Sequence, residues 1–400
     1  MISQQYKDML RGKSVIRELA EFAAIRGKEI GYENVYDYSL GNPSVPAPTE
    51  FADTIMKLLK DKSSMELHGY SPSLGIPSVK EKVAAYLNKR FQMNYTANHI
   101  FMTSAAASAI AHAVRCVTVP GDEVLTFAPF FPEYAPYINL SGAKLKVVPA
   151  NTLDFQINFE QLEQMLNKKV MAILINTPNN PSGVVYSSET LKKLANLLRE
   201  KEKEYGHDIF LISDEPYREI VFSGIEVPYA SAFYDNSISC YSYSKSLSLP
   251  GERIGYLAAN PACTDADLIV PICSQISRGI GHNCPASLMQ LAIAKTLGIY
   301  SDMSIYETNM NLLYNELKLL GFTVTKPGGT FYIFPKALEE DATAFCRKAL
   351  KYDLILVPAD SFGCPGYFRM AYCIDTEKVT RSLPVLRSFV EKEYKITSQA

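Results

Sequence analysis

The side chains with the clearest chemical potential follow predicted strands. Lys245 carries an amine that can form an imine with an aldehyde, and Asp214 places a carboxylate just after the predicted strand at 209–212. Arg253 and Arg369 add two fixed positive charges. In an open α/β sheet, ligands bind beyond the carboxyl ends of the strands, so these groups are expected to share one site.

Further groups at predicted strand ends complete such a site. Residues 103–107 follow a strand and open a helix, and small residues and hydroxyls at a helix start can hold a phosphate. Asn180 and Tyr217 add hydrogen-bonding groups, Phe131 adds an aromatic ring, and Tyr134 either lines the pocket or packs in the core. A lysine for an imine, an acid for a pyridinium nitrogen and an anion cradle are the parts of a pyridoxal phosphate site.

The elements that position these groups alternate between strand and helix. Short apolar runs predict seven strands, at residues 100–102, 123–127, 144–148, 170–175, 209–212, 238–241 and 254–258. Between the fourth and fifth runs, apolar residues recur at the spacing of an amphipathic helix, at Leu191, Leu194, Ala195 and Leu198. Strand, helix and strand form a right-handed unit. The pattern predicts a large, doubly wound α/β domain with a mostly parallel sheet of about seven strands.

The pattern changes after residue 285. A long helical pattern covers 286–320, and short apolar runs follow it, at 322–324, 328–333 and 368–371. We interpret this region as a smaller α+β domain that packs with the start of the chain. The predicted division is an N-terminal segment (1–45), a large domain (46–285) and a small C-terminal domain (286–400).

Composition limits the class of protein. The 400 residues exceed what one hydrophobic core usually holds, and 47% hydrophobic with 20% charged residues is typical of a globular chain. Forty basic and 42 acidic side chains give a net charge of −2, so neither nucleic acid nor a membrane is predicted as a partner. The eight cysteines form no CxxC pair, and no histidine has metal-ligand spacing. Without an apolar signal at the amino terminus, we expect reduced thiols, no metal site and a cytoplasmic location.

Three motifs, in this order and spacing, resemble those of the class I/II aminotransferases of the aspartate aminotransferase superfamily. They are Asn-Asn-Pro-Ser-Gly at 179–183, Asp-Glu-Pro-Tyr at 214–217 and Ser-Tyr-Ser-Lys at 242–245, the last continuing through 250–256. The similarity covers nearly the whole chain, from 39–43 to 368–369. It implies the fold of the fold-type I pyridoxal phosphate-dependent transferases.

The resemblance also implies a role for each residue toward pyridoxal 5′-phosphate. Lys245 would bind the cofactor covalently and move protons, and Asp214 would keep the pyridine nitrogen protonated. Tyr217 and Asn180 would hydrogen-bond the ring hydroxyl oxygen. The remaining implied contacts are stacking by Phe131, phosphate binding by Ala105, Ala106, Ser242 and Arg253, and phosphate binding by Tyr70 of the partner subunit.

For the substrates, the resemblance implies an arginine fork and a homodimer with shared active sites. Arg369 would bind the α-carboxylate in a bidentate manner, helped by the Gly41 backbone and by Asn180. Arg278 of the partner subunit is a candidate for binding an acidic substrate side chain, and the alternative is a surface or interface arginine.

Two positions depart from the family pattern. Ala105 stands where glycine is usual, which allows a less close approach of a phosphate. Ala107 stands where some aspartate-preferring relatives carry a lysine, so a preference for dicarboxylates stays open.

The predicted activity is transfer of an α-amino group between an L-amino acid and a 2-oxo acid, with aspartate and 2-oxoglutarate as one candidate pair. A transaminase for neutral amino acids, alanine-like or aromatic, is an alternative. A pyridoxal phosphate-dependent lyase or decarboxylase is another, because a fold alone does not fix the reaction. Carbon–sulfur lyases commonly have Asp-Glu-Ile-His where this chain has Asp-Glu-Pro-Tyr. A regulator built on the same scaffold is disfavoured, since only about 40 residues precede Gly41.

Overall fold

A seven-stranded sheet forms the centre of the computed structural model, which describes residues 2–9 and 15–396. Numbered along the chain, the described strands are β1 (Tyr36–Asp37), β2 (Ile100–Thr103), β3 (Glu123–Phe127), β4 (Lys144–Val148), β5 (Val170–Asn176), β6 (Phe210–Asp214), β7 (Ser237–Ser242), β8 (Gly255–Ala259), β9 (Tyr332–Ile333), β10 (Leu354–Ile355), β11 (Val357–Pro358) and β12 (Phe368–Ala371). The large sheet contains all seven strands that the apolar runs predict.

The order of this sheet is β2–β8–β7–β6–β5–β3–β4. Strands β4, β3, β5, β6 and β7 run parallel to one another, while β8 is antiparallel to both of its neighbours. The register places Asn176 beside Asp214 at the ends of β5 and β6. The prediction of a doubly wound α/β fold with a mostly parallel sheet is confirmed.

Helices cover the sheet and build the rest of the chain. The described α-helices are α1 (Gln4–Met9), α2 (Val15–Ile30), α3 (Thr49–Asp61), α4 (Ser64–His68), α5 (Pro77–Phe91), α6 (Ala105–Val117), α7 (Tyr134–Asn139), α8 (Phe159–Met165), α9 (Ser188–Tyr205), α10 (Tyr243–Ser246), α11 (Ala266–Ile280), α12 (Ser287–Ile293), α13 (Ser304–Leu319), α14 (Ala342–Leu350) and α15 (Thr376–Tyr394). Short 3₁₀ turns lie at Tyr32–Asn34, Ala97–His99, Ala230–Ala232, Pro250–Glu252 and Asp360–Phe362. In the part of the chain that the structure describes, no helix is long and apolar enough to cross a membrane.

Helix α9 illustrates how the local sequence sets these boundaries. The Ser187 side chain accepts a hydrogen bond from the Thr190 backbone N–H at 3.0 Å, which satisfies one free donor of the first turn. Gly206 ends the helix in the left-handed conformation, at φ 79°. The apolar stripe between them is buried against the sheet, with Leu191, Leu194, Ala195 and Leu198 in its core. This helix lies where the periodicity predicts it.

A second core lies beside the large sheet. Strands β11, β12 and β9 form a three-stranded antiparallel sheet, and β1 pairs in parallel with β10. Helices α13 and α15 pack together over this region. Tyr38, which follows β1, is buried in the same apolar cluster as Phe345, Phe368 and Phe389. The residues just before Gly41 are therefore held by the C-terminal part of the chain, while the boundaries at 45 and 285 stay predictions.

The prediction of one helical stretch over 286–320 is wrong. The structure has two helices there, α12 and α13, joined by ten residues at 294–303. Gly298 takes a left-handed conformation at φ 83°, which a continuous helix does not allow. The Ser301 backbone N–H instead donates to the Ser246 carbonyl at 2.9 Å, so this connection is tied to the chain that follows β7.

Candidate active site

A cleft of about 370 Å³ opens at the carboxyl ends of β2, β5, β6 and β7. Its volume lies in the range of small-molecule sites. Eleven of the thirteen predicted site residues line it: Gly41, Ala105, Ala106, Phe131, Asn180, Asp214, Tyr217, Ser242, Lys245, Arg253 and Arg369. Most of these residues follow strands of the large sheet, whereas Gly41 follows β1 and Arg369 lies on β12, so the second core also contributes to the cleft.

Lys245 lies on the short helix α10, directly after β7. The Ser242 hydroxyl caps this helix by accepting a hydrogen bond from the Ser244 backbone N–H at 3.1 Å. The Lys245 Nζ donates to the Gly41 carbonyl at 2.7 Å. Burial in the cleft is the main cause that lowers the pKa of Lys245 to about 8, and the positive charges of Arg253 and Arg369 lower it further. A useful fraction of this amine is therefore unprotonated and nucleophilic near neutral pH.

Asp214 ends strand β6 and is buried at the base of the cleft. Its Oδ2 accepts a hydrogen bond from the Tyr134 hydroxyl at 2.6 Å, and its backbone carbonyl accepts one from the Asn176 side chain at 2.9 Å. The Oδ1 atom is buried and has no hydrogen-bond partner among the described residues. Burial raises the pKa of Asp214 to about 7, against the opposing effect of the hydrogen bond from Tyr134. A buried acceptor without a donor is costly, so this oxygen is suited to a ligand N–H.

Arg369 lies on β12 and is buried, although no carboxylate pairs with it among the described residues. Its guanidinium donates to the Asn180 side-chain oxygen at 3.1 Å and to the Ser39 carbonyl at 2.5 Å. It also lies over the ring of Tyr332, at 4.5 Å from the centroid, and over that of Phe362, at 5.1 Å. Burial lowers the pKa of Arg369. A buried guanidinium without a counter-ion is suited to binding an anion.

Tyr217 lies on the same side of the cleft as Arg369. Its hydroxyl is 3.2 Å from the Tyr332 hydroxyl, and burial is the main cause that raises the pKa of Tyr217 well above its usual range. The Asn180 backbone N–H donates to the Asn176 side-chain oxygen at 2.7 Å, which fixes the turn after β5. These bonds hold the phenol and the amide at adjacent positions on the cleft wall.

The other end of the cleft is formed by the start of α6 and the Ser242 region. Ala105 has a left-handed backbone, at φ 69°, a conformation that favours glycine. Gly255 lies directly against it, because a Cβ at residue 255 would lie 2.9 Å from the Ala105 Cα. The Ser242 hydroxyl donates to the Ser244 hydroxyl at 2.6 Å, and the exposed Arg253 donates to the Pro250 carbonyl at 2.9 Å. Backbone N–H groups, hydroxyls and a guanidinium thus surround one small space.

Comparison with known proteins identifies the family of this cleft. The family described as aminotransferase class I and II matches residues 33–386. The chain belongs to this family. An aspartate aminotransferase of Thermotoga maritima is 28% identical over 366 residues, which cover 90% of this chain and 92% of that protein. A probable N-acetyl-LL-diaminopimelate aminotransferase of Bacillus subtilis is 30% identical over 375 residues, covering 90% and 91%. The crystal structure of an amino transferase from Eubacterium rectale matches with a TM-score of 0.95 and 44% identity over 98% of this aminotransferase and 100% of that chain.

Pyridoxal 5′-phosphate is the cofactor of this family, and the cleft of the present aminotransferase fits it. The buried Oδ1 of Asp214, which has no hydrogen-bond partner among the described residues, would accept a hydrogen bond from a protonated ring nitrogen, and the amine of Lys245 would form an imine with an aldehyde. The space beside Ala105, Ser242 and Arg253 has the donors that a phosphate requires. No described residue of the aminotransferase belongs to a metal-ligating cluster of His, Cys, Asp and Glu.

Two predicted residues lie outside the cleft of the single chain. Tyr70 follows α4 and is fully exposed, and Arg278 lies in the last turn of α11, where it donates to the Gln275 side chain at 3.2 Å. Each was assigned to the site of a partner subunit. Those cross-subunit roles stay predictions.

The sequence did not identify two residues of the site, Tyr332 and Arg17, and it left Tyr134 open between lining the pocket and packing in the core. Tyr332, which stacks on Arg369, lies in a run that the sequence predicts only as a strand. Tyr134 contacts Asp214, and Arg17 lines the open side of the cleft from helix α2. The Gly-Gly pair before Tyr332 was a usable signal, because the Gly329 backbone is packed against the Ile220 carbonyl with no space for a Cβ.

Proposed function

We propose that this aminotransferase takes the α-amino group from an L-amino acid that carries a distal carboxylate, such as aspartate or glutamate, and gives it to a 2-oxo acid such as 2-oxoglutarate. Transamination is supported by two residues in one cleft: Lys245, whose pKa is lowered to about 8, and Asp214, whose buried Oδ1 has no hydrogen-bond donor among the described residues. The acidic preference is supported by the aspartate aminotransferases among the relatives and by Arg17, an exposed cation on the open side of the cleft.

When bound, pyridoxal phosphate supplies an aldehyde that takes the amino group and a ring that withdraws electrons from the substrate Cα. Lys245 holds the cofactor through its Nζ and later, as a free amine, moves the proton from the substrate Cα. The Oδ1 of Asp214 accepts a hydrogen bond from the ring nitrogen and favours its protonated form, and the positive charge of that nitrogen in turn stabilises the Asp214 carboxylate. Phe131 contributes a flat apolar wall beside these groups.

Arg369 orients the substrate for this proton transfer. Its guanidinium is held in place by the Ser39 carbonyl and the Asn180 side chain, and it binds the α-carboxylate as a fork. The Tyr332 ring supports the guanidinium from one side. Lys245 lines the same cleft as Arg369, so a substrate held by the guanidinium fork would present its Cα to a cleft that also contains the amine.

Arg17 is the cation that we assign to the distal carboxylate. It lines the cleft, is exposed on its open side, and makes no hydrogen bond or ion pair with any residue in the described ranges. It lies near Tyr137, whose pKa is raised to about 12 mainly by burial, with Arg17 acting in the opposite direction. Arg253 and Arg369 serve the phosphate and the α-carboxylate, which leaves Arg17 as a third anion contact. Arg278 of the partner subunit is the competing candidate.

A single-donor screen tests the reaction and its substrate class. The purified protein with bound pyridoxal phosphate is mixed with aspartate, glutamate, alanine or phenylalanine, and loss of the cofactor's absorbance band is followed. We expect the acidic donors to react fastest, and addition of 2-oxoglutarate to restore the band. Release of ammonia without a 2-oxo acid would contradict transamination and favour a lyase, and faster reaction with alanine or phenylalanine would contradict the acidic preference.

Two matched arginine variants then separate the candidate cations. A charge-assisted contact contributes about 1.5–3 kcal/mol, so its loss lowers kcat/KM about 10- to 100-fold. Arg17→Ala is expected to show this loss for aspartate and glutamate and little loss for alanine. A selective loss in Arg278→Ala alone would move the contact to the partner subunit, and an equal loss for all donors would contradict a specificity role for either residue.

We further propose a cytoplasmic homodimer with shared sites. All eight cysteines are free thiols, which supports a reducing compartment. Mixing Lys245→Ala with Tyr70→Ala subunits tests the shared site, because a mixed dimer contains one intact site. Random reassociation restores about a quarter of wild-type activity in a twofold-symmetric dimer. No recovery, or a monomer by light scattering, would contradict the shared site.

A further inference from the structure

Tyr134 begins helix α7, and its side chain is directed into the base of the cleft. It is fully buried, and its hydroxyl donates to Oδ2 of Asp214 at 2.6 Å. No other side chain among the described residues donates to this carboxylate, because Oδ1 has no partner. One oxygen of Asp214 is therefore fixed by a phenol, and the other is left for a ligand.

The ring of Tyr134 makes a second contact with the site. It meets the ring of Phe131 edge to face, with centroids 5.7 Å apart and an interplanar angle of 85°. Phe131 lines the cleft, and Asp214 lies at its base. A single buried side chain thus touches both the residue assigned to the face of the cofactor ring and the residue assigned to its nitrogen.

We propose that Tyr134 is a positioning residue for cofactor binding: its hydroxyl turns the Asp214 carboxylate so that Oδ1 faces the pyridine nitrogen, and its ring holds Phe131 in place. The inference rests on the proposed role of Asp214. The Asn176 side chain holds the backbone of Asp214 but does not touch the carboxylate, so it cannot set the carboxylate's rotation.

The protonation state of Tyr134 suits this role. Burial and the neighbouring Asp214 charge raise the pKa of Tyr134 well above its usual range. The hydroxyl therefore stays a donor, and its hydrogen bond favours the charged form of Asp214 against the effect of burial. A charged Asp214 is the form that holds a proton on the ring nitrogen.

Tyr134→Phe tests the proposal, with Tyr234→Phe as the matched control. Tyr234 is equally buried and does not line the cleft, and its hydroxyl lies 2.6 Å from the Glu202 carboxylate and 2.8 Å from the Ile209 carbonyl, both acceptors. Both variants lose a phenol–carboxylate bond, and Tyr234→Phe also loses the contact with the Ile209 carbonyl, so urea unfolding should show a loss of stability in the control at least as large as in Tyr134→Phe. The dissociation constant of pyridoxal phosphate should rise about 10-fold in Tyr134→Phe and remain unchanged in Tyr234→Phe. Equal cofactor affinity in the two variants would overturn the proposal.

A second readout uses the cofactor-free protein. Infrared difference spectra against Asp214→Asn report the protonated Asp214 carboxyl as a function of pH. Its pKa should be higher in Tyr134→Phe than in the wild type, because the donor to the charged form is lost. An unchanged titration would overturn the proposal. Tyr134→Leu, which also lacks the donor, replaces the Phe variant in both measurements if that variant does not fold.

A double substitution separates this inference from the proposed function. In the Asp214→Asn background, Tyr134→Phe should not weaken cofactor binding further, since the residue acts through Asp214. An additive effect would overturn the proposal while leaving the role of Asp214 intact. If Asp214→Asn alone leaves cofactor affinity and the half-reaction unchanged, the role of Asp214 and this inference both fail.

Discussion

The acidity of Lys245 allows a quantitative prediction of how fast the cofactor-free protein captures pyridoxal phosphate. Only the neutral amine attacks an aldehyde, and burial lowers the pKa of Lys245 from 10.5 to about 8. At pH 7 the neutral fraction is then roughly 9%, against roughly 0.03% for an ordinary lysine, a difference of about 300-fold. The rate should rise nearly tenfold from pH 6 to 7 and level off above pH 8.

Stopped-flow absorbance measures this rate after the cofactor-free protein is mixed with a fixed excess of pyridoxal phosphate at each pH. Nα-acetyl-lysine amide serves as the exposed reference amine, and its rate should continue to rise up to about pH 10. Lys245→Ala should lose the covalent phase entirely. A protein profile that follows the reference amine would refute the argument from burial, and a remaining covalent phase in Lys245→Ala would refute the assignment of the lysine.

Three further substitutions test the cleft. Burial raises the pKa of Asp214 from 3.8 to about 7, so the stability it contributes in the cofactor-free protein is full below pH 4 and lost as the pH rises through 7. In urea unfolding, the free energy of unfolding of the wild type should fall by up to about 4 kcal/mol more between pH 4 and 8 than that of Asp214→Asn. Parallel pH dependences of the two proteins would contradict this. Ala105→Gly should stabilise the protein by about 1 kcal/mol in the same assay, because φ at this residue is 69°; a loss would show that the backbone is not strained. Gly41→Ala places a Cβ in overlap with the Tyr332 hydroxyl, so steady-state kinetics should show kcat/KM reduced by about 10-fold or more for acidic and neutral donors alike. An unchanged kcat/KM would contradict the close contact.

The large sheet could be predicted from sequence because each strand is a short apolar run bounded by polar turns. The run at 170–175 is buried almost throughout, as a strand covered on both faces requires. The break after α12 could not be predicted this way, since Gly298 interrupts the helical periodicity at one position only. The connection after α12 is held instead by a hydrogen bond between Ser301 and Ser246, which are distant in sequence.

The same distinction applies to the site. Residues within short motifs, such as Lys245 and Asp214, could be predicted to share one cleft because their neighbours carry the signal. Tyr134 contacts Asp214 across 80 positions, and Tyr217 reaches Tyr332 across 115. These contacts depend on how separate parts of the chain pack together, and no local pattern records them.

The reversed direction of β8 has a consequence for the spacing of the Lys245 motif. Between two parallel strands, the chain must return along the length of the first strand before the second begins, and this crossover needs a dozen or more residues. Strands β7 and β8 run in opposite directions, and Ser242 at the end of one pairs with Gly255 at the start of the other. The connection therefore starts and finishes at the cleft without a crossover. Lys245 and Arg253, eight positions apart, both belong to this hairpin connection, so the amine and the guanidinium share one continuous piece of backbone.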